Sequence, residues 1–153
     1  MRSEYKDTDF VAMADAIIIP INQVRDEMFS KEILGQTIAF KLKSNIIVAT
    51  CNGVLEVMYP TGHAFAIRMK DGTGVLVHVG INTVNLNGKG FKVCAKQGQY
   101  VSAGQKIVEI NRDFIKESGY DSTTMLIITE TPSDSKISFV PPGDVNQGQI
   151  ISL

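Results

Sequence analysis

From residue 16 onward the chain alternates short apolar runs with turn-forming residues. The apolar runs fall at 16–21, 37–42, 46–50, 54–58, 63–69, 75–79, 91–95, 106–110 and 125–129. Between them stand Lys43-Ser44-Asn45, Asn52-Gly53, Pro60-Thr61-Gly62, Asp71-Gly72, Asn87-Gly88 and Ala103-Gly104. Runs of this length, separated at regular spacing by turn residues, predict strands rather than helices. The chain is therefore expected to be all-β, a compact antiparallel β-sandwich or barrel-like fold with short helical turns. Helix is expected in two short pieces, 27–34, where Ser30-Lys31-Glu32-Ile33-Leu34 stops at Gly35, and 112–118. A closing strand is expected at 149–153 and a surface loop at 131–138. Residues 1–11 read as a flexible leader, which leaves 12–153 as one domain.

The hairpin signal at Asp71-Gly72 changes the picture, because the chain's two histidines, His63 and His78, flank it. Asp-Gly favours a two-residue hairpin loop. With that loop, Phe65 lies opposite His78 and His63 opposite Gly80. His63 and Phe65 share a face, since strand side chains alternate with period two. The imidazoles then become diagonal neighbours, roughly 7–8 Å apart at the backbone. A loop of three or five residues would put them on opposite faces, so the pairing depends on register. In the expected register the histidine face also carries Phe65, Ile67 and Leu76, an apolar collar suited to docking a protein partner and keeping water off the site.

Composition excludes more than it selects. The 153 residues, 44% apolar and 20% charged, are ordinary for a globular protein, and a net charge of −1 gives no general attraction to nucleic acid or anionic lipid. No apolar stretch approaches the roughly 18 residues of a membrane span. Cys51 and Cys94 have no metal-binding or redox spacing and read as reduced. These traits point to a cytoplasmic protein.

Two histidines on one face support several chemistries. Near neutral pH an imidazole can take up and release a phosphoryl group, if its attacking nitrogen is unprotonated and the other nitrogen is held by an acceptor. A second imidazole can donate to the phosphoryl oxygens. A histidine in a strand can also be purely structural. Zinc, adventitious or regulatory, could bind the pair, but a zinc site needs three or four ligands and no third stands at a familiar spacing. No other metal or bound cofactor is expected.

Specific motifs separate these readings. The stretch Leu76-Val77-His78-Val79-Gly80-Ile81-Asn82-Thr83-Val84-Asn85-Leu86-Asn87-Gly88-Lys89-Gly90-Phe91 closely resembles the signature of the glucose-type enzyme IIA domain of the bacterial phosphoenolpyruvate-dependent sugar phosphotransferase system. There the phosphorylated histidine opens His-x-Gly-Ile-Asp-Thr-Val and leads into Gly-x-Gly-Phe. Thr61-x-His63-Ala64-Phe65 is similar to that family's second histidine and its threonine. Further likeness runs through Val24-x-Asp26-x-x-Phe29-Ser30, Leu34-Gly35, Gly98-x-x-Val101-x-x-Gly104 and Gly143-x-Val145-x-x-Gly148. The resemblance covers about residue 12 to the end.

It implies a phosphoryl relay. The phosphocarrier protein HPr would donate to Nε2 of His78, and His78 would pass the group to a cysteine on the IIB domain of a sugar permease, which phosphorylates the incoming sugar; the membrane would be met only through that permease. His63 would hydrogen-bond the phosphoryl group, Thr61 would orient the pair, and Gly80 would allow close backbone approach. Two departures bear on partner choice. Asn82 stands where the signature has Asp, and Gln36 where some members are acidic; those acids face arginines on the partners. Asn82 and Gln36 therefore join Phe65, Ile67 and Leu76 as expected docking residues. A rival reading is a regulatory module of the same fold that docks a transporter or kinase through the histidine face. A biotinyl or lipoyl carrier fits poorly, being about half this length, and a zinc peptidase would need a His-x-His pair that the chain lacks.

Overall fold

A computed structural model describes residues 5–134 and 136–153. In chain order the strands are β1 (Ala16–Ile19), β2 (Gln36–Leu42), β3 (Ile46–Val48), β4 (Gly53–Met58), β5 (Ala64–Arg68), β6 (Gly74–Ile81), β7 (Phe91–Val93), β8 (Tyr100–Val101), β9 (Lys106–Ile110), β10 (Asp121–Glu130) and β11 (Gly143–Val145). Helices α1 (Glu27–Ser30) and α2 (Arg112–Glu117) are short, and 3-10 turns cover Ile21–Gln23 and Thr83–Leu86. Asp26 and Asn111 cap α1 and α2, their side chains accepting from Met28 N and Phe114 N.

The strands form two antiparallel sheets. The larger runs β11-β1-β2-β10-β6-β5-β4-β8 and the smaller β3-β9-β7, and neither closes into a barrel. Alternation along the central strands sends Phe40, Phe65, Ile67, Val77, Val79 and Leu126 to one side, where they pack with Ile47, Ile107 and Val108 of the small sheet. That is the main core. The opposite face of the large sheet holds Ala39, Met125 and Ile127, and the segment carrying Val24 and Phe29 folds over it to form a second, smaller cluster. No helix among the described residues is long and apolar enough to cross a membrane.

Three expectations are corrected here. The leader was expected to be flexible, yet Phe10 and Val11 are fully buried, Val11 N donates to Thr50 O, and the Tyr5 hydroxyl donates to Gly148 O. Apolar residues at 10 and 11 fasten this segment to the core; residues 1–4 lie outside the described ones. The segment 149–153 makes only isolated bridges, Val11 with Ile150 and Phe139 with Ser152. The strand near the end is β11, which pairs with β1. The β5–β6 hairpin has a different register from the expected one. Ala64, not Phe65, lies opposite His78, and the ladder ends at Arg68 and Gly74, leaving 69–73 as the connection. The Asp71 carboxylate accepts from Thr73 N at 2.9 Å, so Asp-Gly forms a small side-chain-closed turn inside a wider loop.

Candidate active site

A one-residue change of register moves every side chain of β5 to the other face. Phe65 and Ile67, expected to collar the histidines, therefore point into the main core and are at most 1% exposed. They cannot meet a partner. Leu76, on β6 with His78, does face the histidine side and packs against the smaller cluster. Gln36 is also misplaced by the sequence reading. It sits opposite Ile128 on the core-facing side of its strand, and its amide both donates to Ile137 O at 2.6 Å and accepts from Ile137 N at 2.9 Å. It fastens the 137 segment to the sheet instead of awaiting a partner.

The observed register would separate the histidines if both lay in the ladder, yet their rings meet at 5.4 Å, edge to face at 77°. His63 escapes the alternation because it precedes β5. It leaves a turn closed by Gly62 N donating to Tyr59 O, in which Gly62 has φ +75°. Its carbonyl accepts from Val79 N at 2.7 Å, which ties it beside the histidine strand. The pairing is thus real for a reason that strand alternation does not supply.

Hydrogen bonds define the nitrogens. Nδ1 of His78 lies 2.8 Å from the carbonyl of Gly80. A carbonyl can only accept, so Nδ1 carries the proton, and in the neutral ring Nε2 keeps its lone pair. Nδ1 of His63 lies 2.6 Å from the Thr61 hydroxyl. Burial lowers the pKa of both rings below the usual histidine value. His78 lowers that of His63 further, while the Gly80 bond and the Asp26 carboxylate partly offset the effect at His78. Both rings are therefore held further towards the neutral form than an exposed histidine.

The strand ends unusually after His78. Gly80 has φ +88°, and a Cβ there would stand 2.3 Å from Thr83 Cγ2 and 3.0 Å from Asp121 O. Opposite it the β6–β10 register slips between Asp121 and Thr124. Alternation would send Ile81 inward with Val79, but it joins the outer cluster with Phe29. Next, Asn82 adopts a left-handed conformation (φ 60°, ψ 17°), which Asn and Asp tolerate better than most residues. Its side chain makes no cap bond to the turn it opens and is exposed.

Tyr59, Pro60, Leu76 and Val84 wall a depression of about 400 Å³ that holds Thr61 and both histidines. A larger concavity of about 490 Å³ near Lys6, Phe10 and Leu153 contains no histidine, so volume alone does not select the site. Three contributors went unassigned in the sequence reading. Phe29 places its ring 5.1 Å from His78, Tyr59 lies 5.1 Å from His63, and Asp26 acts electrostatically on His78. Phe29 and Asp26 stand in the Val24-to-Ser30 motif, which was a signal; Tyr59 had none. Val84, about half exposed, adds apolar surface at the site. Among the described residues no group of three or more His, Cys, Asp or Glu side chains could hold a metal ion. Cys51 is buried and its thiol is pushed up to about 12, so it is unreactive.

A family model described as phosphoenolpyruvate-dependent sugar phosphotransferase system, EIIA 1, matches residues 8–133. The glucose-specific EIIA component of Buchnera aphidicola is 38% identical over 148 residues, covering 97% of this chain and 91% of that protein. The solved glucose permease IIA of Mycoplasma capricolum superposes with a TM-score of 0.90 at 33% identity, covering 99% of this chain and 98% of that one. The chain also matches the glucose-specific EIICBA component of Staphylococcus carnosus, at 34% identity over 136 residues, but spans 20% of that protein's length.

Proposed function

Because this chain belongs to the EIIA 1 family of the phosphoenolpyruvate-dependent sugar phosphotransferase system, we propose that Nε2 of His78 is the atom on which it carries the phosphoryl group. The observation that supports this most directly is the Gly80 carbonyl on Nδ1, which leaves Nε2 as the nucleophile. The donor is HPr in the cytoplasm, bearing its own phosphohistidine. The Nε2 lone pair attacks phosphorus, a new N–P bond forms, and the donor's N–P bond breaks with its electron pair returning to the donor imidazole. His78 becomes positively charged as Nε2 bonds to phosphorus, and its Nδ1–H bond to the Gly80 carbonyl strengthens with that charge. With the Thr61 hydroxyl donating to Nδ1 of His63, Nε2–H of His63 is free to donate to a phosphoryl oxygen. Apolar walls keep water away from the labile bond.

In the second half-reaction a IIB cysteine thiolate attacks the same phosphorus, an S–P bond forms, and the neutral His78 ring is released. The fused architecture of the Staphylococcus carnosus relative, an EIICBA component, supports a IIB acceptor. Leu76, which lines the depression, and the exposed Asn82 are the docking residues we assign to the surface a partner would meet. Neither step as proposed needs a bound cofactor.

The test is incubation with phosphoenolpyruvate, enzyme I and HPr, followed by intact mass and acid lability. One acid-labile phosphate is expected, absent from His78→Ala. His63→Ala is expected to accept phosphate but to pass it to IIB poorly. Phosphate on the His78→Ala protein would overturn the assignment.

A further inference from the structure

Thr83 is a fully buried polar residue with no part in the relay described so far, and its contacts converge on the group that orients His78. Its hydroxyl donates to Val79 O at 2.5 Å. Threonine hydroxyls commonly return to a carbonyl four residues back within helices. Here the acceptor lies in a strand and the donor opens a 3-10 turn, so the bond closes a loop around Gly80. The Thr83 side chain also fills the place where a Gly80 side chain would be, its Cγ2 at 2.3 Å and its Oγ1 at 2.9 Å from that Cβ position. One side chain therefore fixes the peptide leading into Gly80 through Oγ1 and blocks the space over it through its methyl. Glycine has the widest conformational range of any residue type, Gly80 sits at φ +88°, and Asn82 two residues on is also left-handed. Without an external hold, the direction of the Gly80 carbonyl would be weakly determined.

We propose that Thr83 is a positioning residue: it aims the Gly80 carbonyl at Nδ1 of His78 and so selects which imidazole nitrogen is left to attack phosphorus. The rate consequence rests on the phosphoryl-carrier reading above, whereas the tautomer consequence does not. Thr83→Val keeps shape and removes the hydroxyl. Thr83→Ser keeps the hydroxyl and removes the methyl.

The decisive measurement is the His78 tautomer by 15N-edited NMR of the ring nitrogens, on the full chain at a pH where the ring is neutral. The wild type is expected to hold the Nδ1–H form. Thr83→Val is expected to show a mixture of the two tautomers at His78 with His63 unchanged, and Thr83→Ser to restore the single form. Phosphate acceptance from HPr should fall roughly ten- to hundredfold in Thr83→Val, the scale on which misplacement of a reacting group acts, and recover in Thr83→Ser. A single Nδ1–H form in Thr83→Val with acceptance within about twofold of wild type would overturn the proposal. If the valine variant does not fold, Thr83→Ala and Thr83→Ser form the comparison, since they differ only in the hydroxyl, and equal tautomer populations in that pair would overturn it as well. The spectra need no donor, so a chain that takes no phosphate would defeat the carrier reading and leave this one to be judged on the tautomers.

Discussion

The side chains of the candidate site take their states from their immediate surroundings. His78 is held towards the neutral form because it is buried, and is the right tautomer because of a carbonyl two residues away. Burial lowers both histidine pKa values, which fixes the sign of a pH effect. Below the ordinary value of about 6.5 the unfolded chain takes up protons that the folded chain refuses, so stability falls as pH drops through 6.5 towards the lowered values. Melting temperature is therefore expected to drop between pH 7.5 and 5.5, with a flatter slope in a His63→Gln/His78→Gln double variant. Gly80→Ala should cost about 2 kcal/mol or more in urea unfolding, because an alanine must adopt a left-handed backbone and collide with Thr83. The histidines and the threonine beside His63 stand out in the sequence as residue types. The carbonyl that decides the tautomer does not, because it belongs to a backbone whose path the side-chain pattern does not encode.

Most strands can be read from the spacing of apolar runs, since each of those runs contributes to a ladder or abuts one. Register could not be read the same way. Asp71-Gly72 reads as the whole loop, but Met69 N donates to Thr73 O outside it, and the Asp71 carboxylate closes the inner turn. Met69 and Thr73 are both buried, so loop width was decided by packing. Phe65 and Ile67 were misread as surface residues by that single step. At the same scale, α1 carries two duties through one residue: Asp26 caps it and places a carboxylate within reach of His78. Separating them gives a clean expectation. Asp26→Asn should keep the cap and leave unfolding free energy nearly unchanged, while lowering the His78 pKa further. Asp26→Ala should lower that pKa too and also cost roughly 1 kcal/mol of stability. Titration of His78 by NMR alongside urea denaturation would check both.

Across the molecule the site sits where a sheet with a core on each face is interrupted. The main core holds the inner sides of β5 and β6, while the segment bearing Phe29 covers part of the outer side. The first described residues belong to this body as much as its strands do. Phe10→Ala is expected to cost about 3 kcal/mol, the usual scale for emptying a buried phenylalanine site, and a lower urea midpoint with unchanged slope would register it. Their burial was not foreseen because the segment has too few apolar residues to form a periodic run. One bond ties the site to the whole: the Val79 amide donates to the carbonyl of His63, and Val79 is itself fully buried. Deuterium can reach that amide when the large sheet opens, so its exchange should be among the slowest in the chain, near the rate of global unfolding. The backbone spacing from which the two imidazoles project is then as durable as the fold. On the proposed relay, donor and acceptor would then meet the same backbone template in turn, and the adjustment the transfer requires would fall to their side of the contact.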